Sequence, residues 1–194
     1  MVSQRLVLAS TSPYRRQLLA RLRLPFEVRA PGVEEGALPG EAPRAMALRL
    51  AQSKAQAVAP SCADALIIGC DQVASLDGKS IGKPGSHEMA VVQLQTMRGK
   101  CVSFHTALAL LNTTSGALRV AEVPTEVYFR NCSDDEIERY LAVERPYDCT
   151  GSAKIDGLGV ALVERVVSDD PSALIGLPLM QLVTLLRGEG VKIF

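Results

Sequence analysis

Leu6–Leu22, LVLASTSPYRRQLLARL, reads as a strand, a polar turn and a helix in immediate succession. Leu6, Val7 and Leu8 make a short apolar run suited to a buried strand, and Ser10, Thr11 and Ser12 bring hydroxyls to its end. Ser12 fits an N-cap with Pro13 at the first helical position, and Leu18, Leu19 and Leu22 form the apolar face of the helix that follows. Arg15 and Arg16 then place two cations in the first turn, where the helix macrodipole is already positive. Free backbone N–H groups, hydroxyls and guanidinium groups at one helix start make a site for phosphate. The competing reading is that both arginines point into water.

Outward from this unit, strands and helices alternate. Pro25–Ala30 is compatible with a second strand and residues 31–43 with a loop carrying Glu34 and Glu35. From Pro43 to about Ala59 the pattern is helical, with Ala47, Leu50, Lys54 and Val58 on one stripe. Lys54 on that apolar stripe either snorkels to the helix edge or serves a function. Ala65–Cys70, ALIIGC, reads as a buried strand that delivers Asp71 and Gln72 at its end; Gln72–Leu76 can continue it, and Asp77-Gly78 signals a tight turn before Lys79–Ile81. A helix is expected from Ser86 to Arg98, then strands over 102–110, 117–123 and 125–130. Ser133–Glu136, SDDE, spells a capping box for the next helix. A glycine-punctuated loop over 146–159 carries Lys154 and Asp156, Val160–Val166 is predicted as the last strand, and a final apolar helix is predicted over Leu179–Arg187. No repeat or linker divides the 194 residues, so the expectation is a single α/β domain, 1–194, with a mixed sheet.

Composition narrows the function. The 21 basic and 21 acidic residues balance, which argues against broad binding to nucleic acid or an anionic membrane. Tryptophan is absent and aromatics are 4%, so an aromatic platform for nucleic acid is lacking. Five cysteines, at 62, 70, 101, 132 and 149, show no CxxC or Cys/His spacing and read as small core residues in a reducing compartment. No opening run has signal-peptide character and no span approaches ~20 apolar residues, so a cytoplasmic location is expected.

Arg15, Lys54 and Lys83 with Glu35 and Asp71 are the parts of a metal-assisted phosphate site. Hard divalent cations take carboxylate oxygens and substrate phosphates, while Lys and Arg offset charge on the transferred group. His87 and His105, the only histidines, read as a helix-start and a strand residue, so the base falls to a carboxylate. Asp71 follows a buried strand that holds its position, whereas Glu34 and Glu35 lie in a loop. GxxxxGK[ST] and GxGxxG are absent, and the GxSxG spelled by Gly78–Gly82 falls in the expected hairpin, not at a strand-to-helix nucleophile elbow. The residues alone therefore point to phosphoanhydride or phosphoester chemistry on a small anionic substrate.

ASTSPYRR at 9–16, Glu35 in VEE, Lys54-Ala55, GCDQ at 69–72, GKP at 82–84, GSAKIDGLG at 151–159 and IGLPL at 175–179 together resemble the Maf nucleotide pyrophosphatases over nearly the whole chain. The resemblance implies an elongated mixed sheet flanked by helices, similar to the inosine triphosphate pyrophosphatase fold. It implies a divalent metal (magnesium or manganese), cleavage between the α and β phosphates, and a cytoplasmic homodimer. It makes Asp71 the proton acceptor and assigns Ser10, Arg15, Glu35, Lys54 and Lys83 to phosphate and metal. Arg16 joins them as a further substrate contact, behind Arg15, because it falls outside the paired arginines of the pyrimidine branch.

Three positions choose the branch. Where the pyrimidine-nucleotide branch reads SPRR, GADT and a glutamine, this chain has Tyr14, Gln72 and Asp156, which resembles the branch acting on 7-methyl-GTP and implies that all three contact the substrate. Methylation at N7 makes the purine cationic, so an aromatic face at Tyr14 can stack on it. A carboxylate at Asp156 can accept from the guanine N1–H and N2 amine. A pyrimidine triphosphate substrate, or a nucleotide-sensing regulator of cell division, are the alternatives that resemblance leaves open.

Overall fold

In the computed structural model, which describes residues 4–194, the opening stretch forms β1 (Arg5–Ala9) and α1 (Pro13–Ala20). Ser12 caps α1 as expected, its Oγ accepting the Arg15 backbone N–H at 3.4 Å. The remaining elements are β2 (Glu27–Arg29), α2 (Pro43–Val58), β3 (Ala65–Leu76), β4 (Lys79–Ile81), α3 (His87–Met97), β5 (Cys101–Asn112), β6 (Leu118–Phe129), α4 (Asp134–Glu144), β7 (Val163–Ser168) and α5 (Leu179–Gly188). The strands make one mixed sheet in the order β2-β1-β3-β5-β6-β7, with β4 paired to the end of β3. β1 runs parallel to β2 and β3, and all other pairs are antiparallel.

Strand alternation sorts the helices. Val7, Ala9, Ile67, Ala107 and Ala109 face α2, which packs on them through Ala47, Ala51 and Ala55. The alternate residues Leu8, Ile68, Leu108 and Leu110 face α1 and α5, meeting Leu18, Leu19, Leu182 and Leu186. Further along the same face, Ala74, Phe104 and Val127 meet α3 and α4 through Leu94, Met97, Ile137 and Leu141. Two helical layers thus share one side of the sheet, and Gln72 of β3 and Thr106 of β5 lie at the seam between them.

Four local expectations change. β6 runs unbroken through Pro124, where two strands were expected. Pro124 lies one residue past the last β6–β7 pair, Thr125↔Ser168, where that side of β6 becomes a free edge and a missing donor is tolerated. Leu158–Leu162 is a 3-10 turn, and the last strand starts only at Val163. The Gly157-Leu158-Gly159 run holds this segment against Lys154, whose carbonyl accepts from both glycine N–H groups at 3.0 Å. Only Cys62 and Cys70 are core cysteines; Cys101, Cys132 and Cys149 are half-buried, and all five are free thiols. The second strand covers only Glu27–Arg29.

Candidate active site

Gly69 brings the site together. A β-carbon there would collide with the Ala51 carbonyl oxygen and the Ala55 nitrogen, so only glycine lets α2 lie this close to β3. One turn beyond Ala51 on α2 is Lys54, and two residues beyond Gly69 on β3 is Asp71. The close approach places Lys54 Nζ 2.6 Å from Asp71 Oδ1. Lys54 is 4% exposed and Asp71 6%, so the lysine does not snorkel to water. Its ammonium is shared with Glu35 from the loop before α2, at 2.5 Å. Burial pushes the Glu35 carboxyl up, but the Lys54 hydrogen bond and charge, with Lys83 and Arg15 behind them, outweigh it and hold Glu35 below the ordinary value of 4.5.

These groups form the floor of a cleft of about 430 Å³. Nine of the sequence-predicted side chains line it: Ser10, Tyr14, Arg15, Glu35, Lys54, Asp71, Gln72, Lys83 and Asp156. Ser10 is buried at the end of β1, where its Oγ accepts the Ser12 N–H at 3.1 Å and shapes the turn into α1. Arg15 sits on the cleft side of α1, with its Nε donating to the Gly176 carbonyl at 2.9 Å. Lys83, in the exposed loop after β4, faces the same space. Arg16 does not join them: it is exposed and absent from the cleft lining, because the next residue on a helix points about 100° away from Arg15. His87 and His105 also stand outside, paired with Tyr147 and Glu138 and with Glu122.

The other end of the cleft is built by α1 and the 146–159 loop. Tyr14 is half-buried, and the Cys149 thiol donates to its hydroxyl at 3.9 Å. Burial, reinforced by Cys149, pushes the Tyr14 hydroxyl up to about 12, so the ring stays neutral at any working pH. Asp156 is exposed at the rim. Its loop is anchored by two α4 residues, Tyr140 and Glu144, that no sequence motif singles out. Tyr140 Oη accepts the Lys154 N–H at 3.0 Å and donates to the Ser152 carbonyl at 3.2 Å. Glu144 accepts Lys154 Nζ at 2.9 Å and the Leu158 N–H at 2.8 Å. Local periodicity could place these residues on α4 but not reveal what they reach.

Among the described residues no group of three or more His, Cys, Asp or Glu side chains is arranged to hold a metal. Glu35 and Asp71 do converge on one point, the Lys54 ammonium, and each has a second oxygen beyond that contact. Hard oxygen donors of this kind suit a divalent cation that takes its other ligands from water and phosphate.

The Maf-like protein family model matches residues 5–189. The chain belongs to the Maf-like family. Among curated Maf relatives, the 7-methyl-GTP pyrophosphatase of Thiobacillus denitrificans is 58% identical over 191 residues, covering 98% of this chain and 95% of the relative. That of Cupriavidus metallidurans is 56% identical, with 97% and 95% covered. That of Albidiferax ferrireducens is 51% identical, with 99% and 96% covered. As a Maf-like protein, the chain has the α/β architecture its sequence led one to expect, a mixed seven-strand sheet with helices on both faces.

Proposed function

We propose that this Maf-like protein hydrolyses the α–β phosphoanhydride of 7-methyl-GTP, releasing the nucleoside monophosphate and pyrophosphate. The observation that carries the reading is the Lys54 ammonium buried between Glu35 and Asp71 on the floor of a cleft bordered by Arg15 and Lys83. The names of the relatives at 51–58% identity support the same substrate.

In this reading the triphosphate lies over Ser10, Arg15 and Lys83, and the base lies between Tyr14 and Asp156. Asp71 Oδ1 is held by Lys54, which leaves the second carboxylate oxygen to take the proton of an attacking water. The water oxygen bonds to the α-phosphorus, the α–β bridging bond breaks, and its electron pair leaves with pyrophosphate. Arg15 and Lys83 offset the charge that grows on that leaving group. Three cations against two carboxylates leave one net positive charge for a triphosphate carrying about four negative charges, and a divalent cation would cover about two of the remaining three. Glu35 and Asp71 would hold that cation, magnesium or manganese. When bound it supplies electrostatic stabilisation of the phosphates.

Tyr14 offers its ring face to the cationic purine, and Asp156 its carboxylate to the guanine edge. In this reading the chain works as one catalytic unit, 1–194, in a cytoplasmic homodimer. No helix among the described residues is long and apolar enough to cross a membrane. Pyrophosphate release from 7-methyl-GTP, GTP, UTP and dTTP with magnesium tests the reading. We expect 7-methyl-GTP to be turned over fastest and Asp71→Ala to abolish turnover while nucleotide still binds. Faster hydrolysis of UTP or dTTP would overturn the base assignment.

A further inference from the structure

β3 divides the run Gly69-Cys70-Asp71-Gln72 between its two faces. Gly69 and Asp71 face α2, while Cys70 and Gln72 face the turn that leads from β7 to α5. On that face Leu66, Ile68 and Cys70 belong to one hydrophobic cluster and Ala74 and Leu76 to the other. Gln72 stands between them, directly across from Thr106 on β5.

A polar side chain at such a seam needs partners, and Gln72 has them. Its Nε2 donates to the carbonyls of Ala173 at 3.0 Å and Leu174 at 3.1 Å, with Thr106 Oγ1 also at 3.0 Å. Thr106 Oγ1 in turn donates to the Ala173 carbonyl at 3.0 Å. Two N–H groups shared among three acceptors leave no amide donor for a ligand. The turn so clamped ends at Gly176, whose φ of +124° favours glycine. The Gly176 carbonyl accepts Arg15 Nε at 2.9 Å and the buried Cys70 thiol at 3.0 Å. No carboxylate pairs with Arg15 among the described residues, so this carbonyl sets the plane of the guanidinium. On its outer side the turn is fastened by Asp170, which accepts from Ser172 Oγ at 2.6 Å and the Met180 N–H at 2.7 Å.

We propose that Gln72 is a positioning residue for Arg15: it clamps the 173–176 turn to the sheet, and the Gly176 carbonyl at the end of that turn aims the guanidinium at the phosphates. The inference rests on the phosphate role given to Arg15 above. It changes what Gln72 does, from a group that touches substrate to one that acts through another side chain.

A double-mutant cycle tests it. Gln72→Met keeps the length of the side chain and removes its amide, and Arg15→Ala removes the group it is said to aim. We expect Gln72→Met to lower kcat/KM about tenfold or more when Arg15 is present, as a displaced charge would. In the Arg15→Ala background the same substitution should change kcat/KM by less than about twofold. Equal losses in both backgrounds, or no loss with Arg15 present, overturn the proposal. A loss of folded protein alone would lower activity by the same factor in both backgrounds, so it cannot mimic the coupling. Should Gln72→Met fail to fold, Thr106→Val removes the partner hydroxyl and runs the same cycle. Calorimetric binding of inorganic pyrophosphate to the four proteins gives a second reading without turnover. If the unsubstituted protein hydrolyses no nucleotide yet the cycle shows coupling in pyrophosphate affinity, the catalytic reading fails and the positioning role stands.

Discussion

The carbonyl oxygen of Ala51 on α2 stands where a β-carbon on Gly69 of β3 would have to be. Both atoms belong to backbone inside regular elements, so neither can swing aside. Gly69→Ala must therefore push α2 away from the sheet and draw Lys54 off Asp71. We expect a loss of about 2–4 kcal/mol in stability and of more than about 100-fold in kcat. Thermal unfolding and steady-state turnover measure the two; a variant with normal stability and activity would refute the close-approach account.

Lys54 is the shared counter-ion of two carboxylates, one of them buried. Replacing it by methionine keeps the packing and leaves Asp71 without its charge partner. A cost of about 1–3 kcal/mol is expected, together with near-complete loss of turnover. Chemical denaturation of Lys54→Met against the unsubstituted protein checks the first and pyrophosphate release the second.

Glu35 is held below its ordinary value of 4.5 because the Lys54 hydrogen bond and charge outweigh the upward push of burial. A carboxyl whose folded value is depressed stabilises the protein above its unfolded value, and that stability is lost as pH falls through the folded value. Stability should therefore decline below about pH 4.5, and Glu35→Gln should flatten that part of the curve. Urea midpoints between pH 3 and 6 for the two proteins, in metal-free buffer, are the measurement.

Asp156 is exposed, and the anchors of its loop are Tyr140 and Glu144 on α4. A β-carbon on Gly157 would come within 2.9 Å of Glu144 Oε2, so the carboxylate and the loop backbone fit closely. Glu144→Ala removes both anchors of this carboxylate and lets Asp156 drift. The expected outcome is a KM for 7-methyl-GTP raised about five- to tenfold, kcat nearly unchanged, and a reduced preference over UTP.

Tyr14 gives the methylated base its aromatic face in the proposed complex. Tyr14→Leu should lower the preference for 7-methyl-GTP over GTP about tenfold, consistent with ~1–2 kcal/mol of cation–π and stacking energy, and Tyr14→Phe should retain it. With its hydroxyl pushed up to about 12, Tyr14 adds no step to the pH profile near neutrality.

Much of this molecule is written in local pattern. Ser12 before Pro13, the SDDE box at Ser133–Glu136 and the Asp77-Gly78 turn each state their conformation in a few neighbouring residues. The strand of Ala65–Cys70 is legible because a buried strand needs an unbroken apolar run, and Asp71 is legible as the first carboxylate after it. Lys54 was ambiguous from periodicity, since a lysine on an apolar stripe fits either snorkelling or a buried pair. Its 17-residue separation from Asp71 is what local reading cannot bridge.

The amino-acid order by itself determined which segments become strands and helices, and which ionisable residues stand at their ends. Those are properties of a few adjacent side chains competing for water or apolar contact. Only the tertiary structure decided that Lys54 lies between Glu35 and Asp71, that Arg15 is aimed by the Gly176 carbonyl, and that Gln72 holds a turn 101 and 102 residues further on. Each of these depends on how two distant elements pack: Gly69 lets α2 approach β3 on one face, and Gln72 clamps the turn before α5 at the seam of the two helical layers on the other.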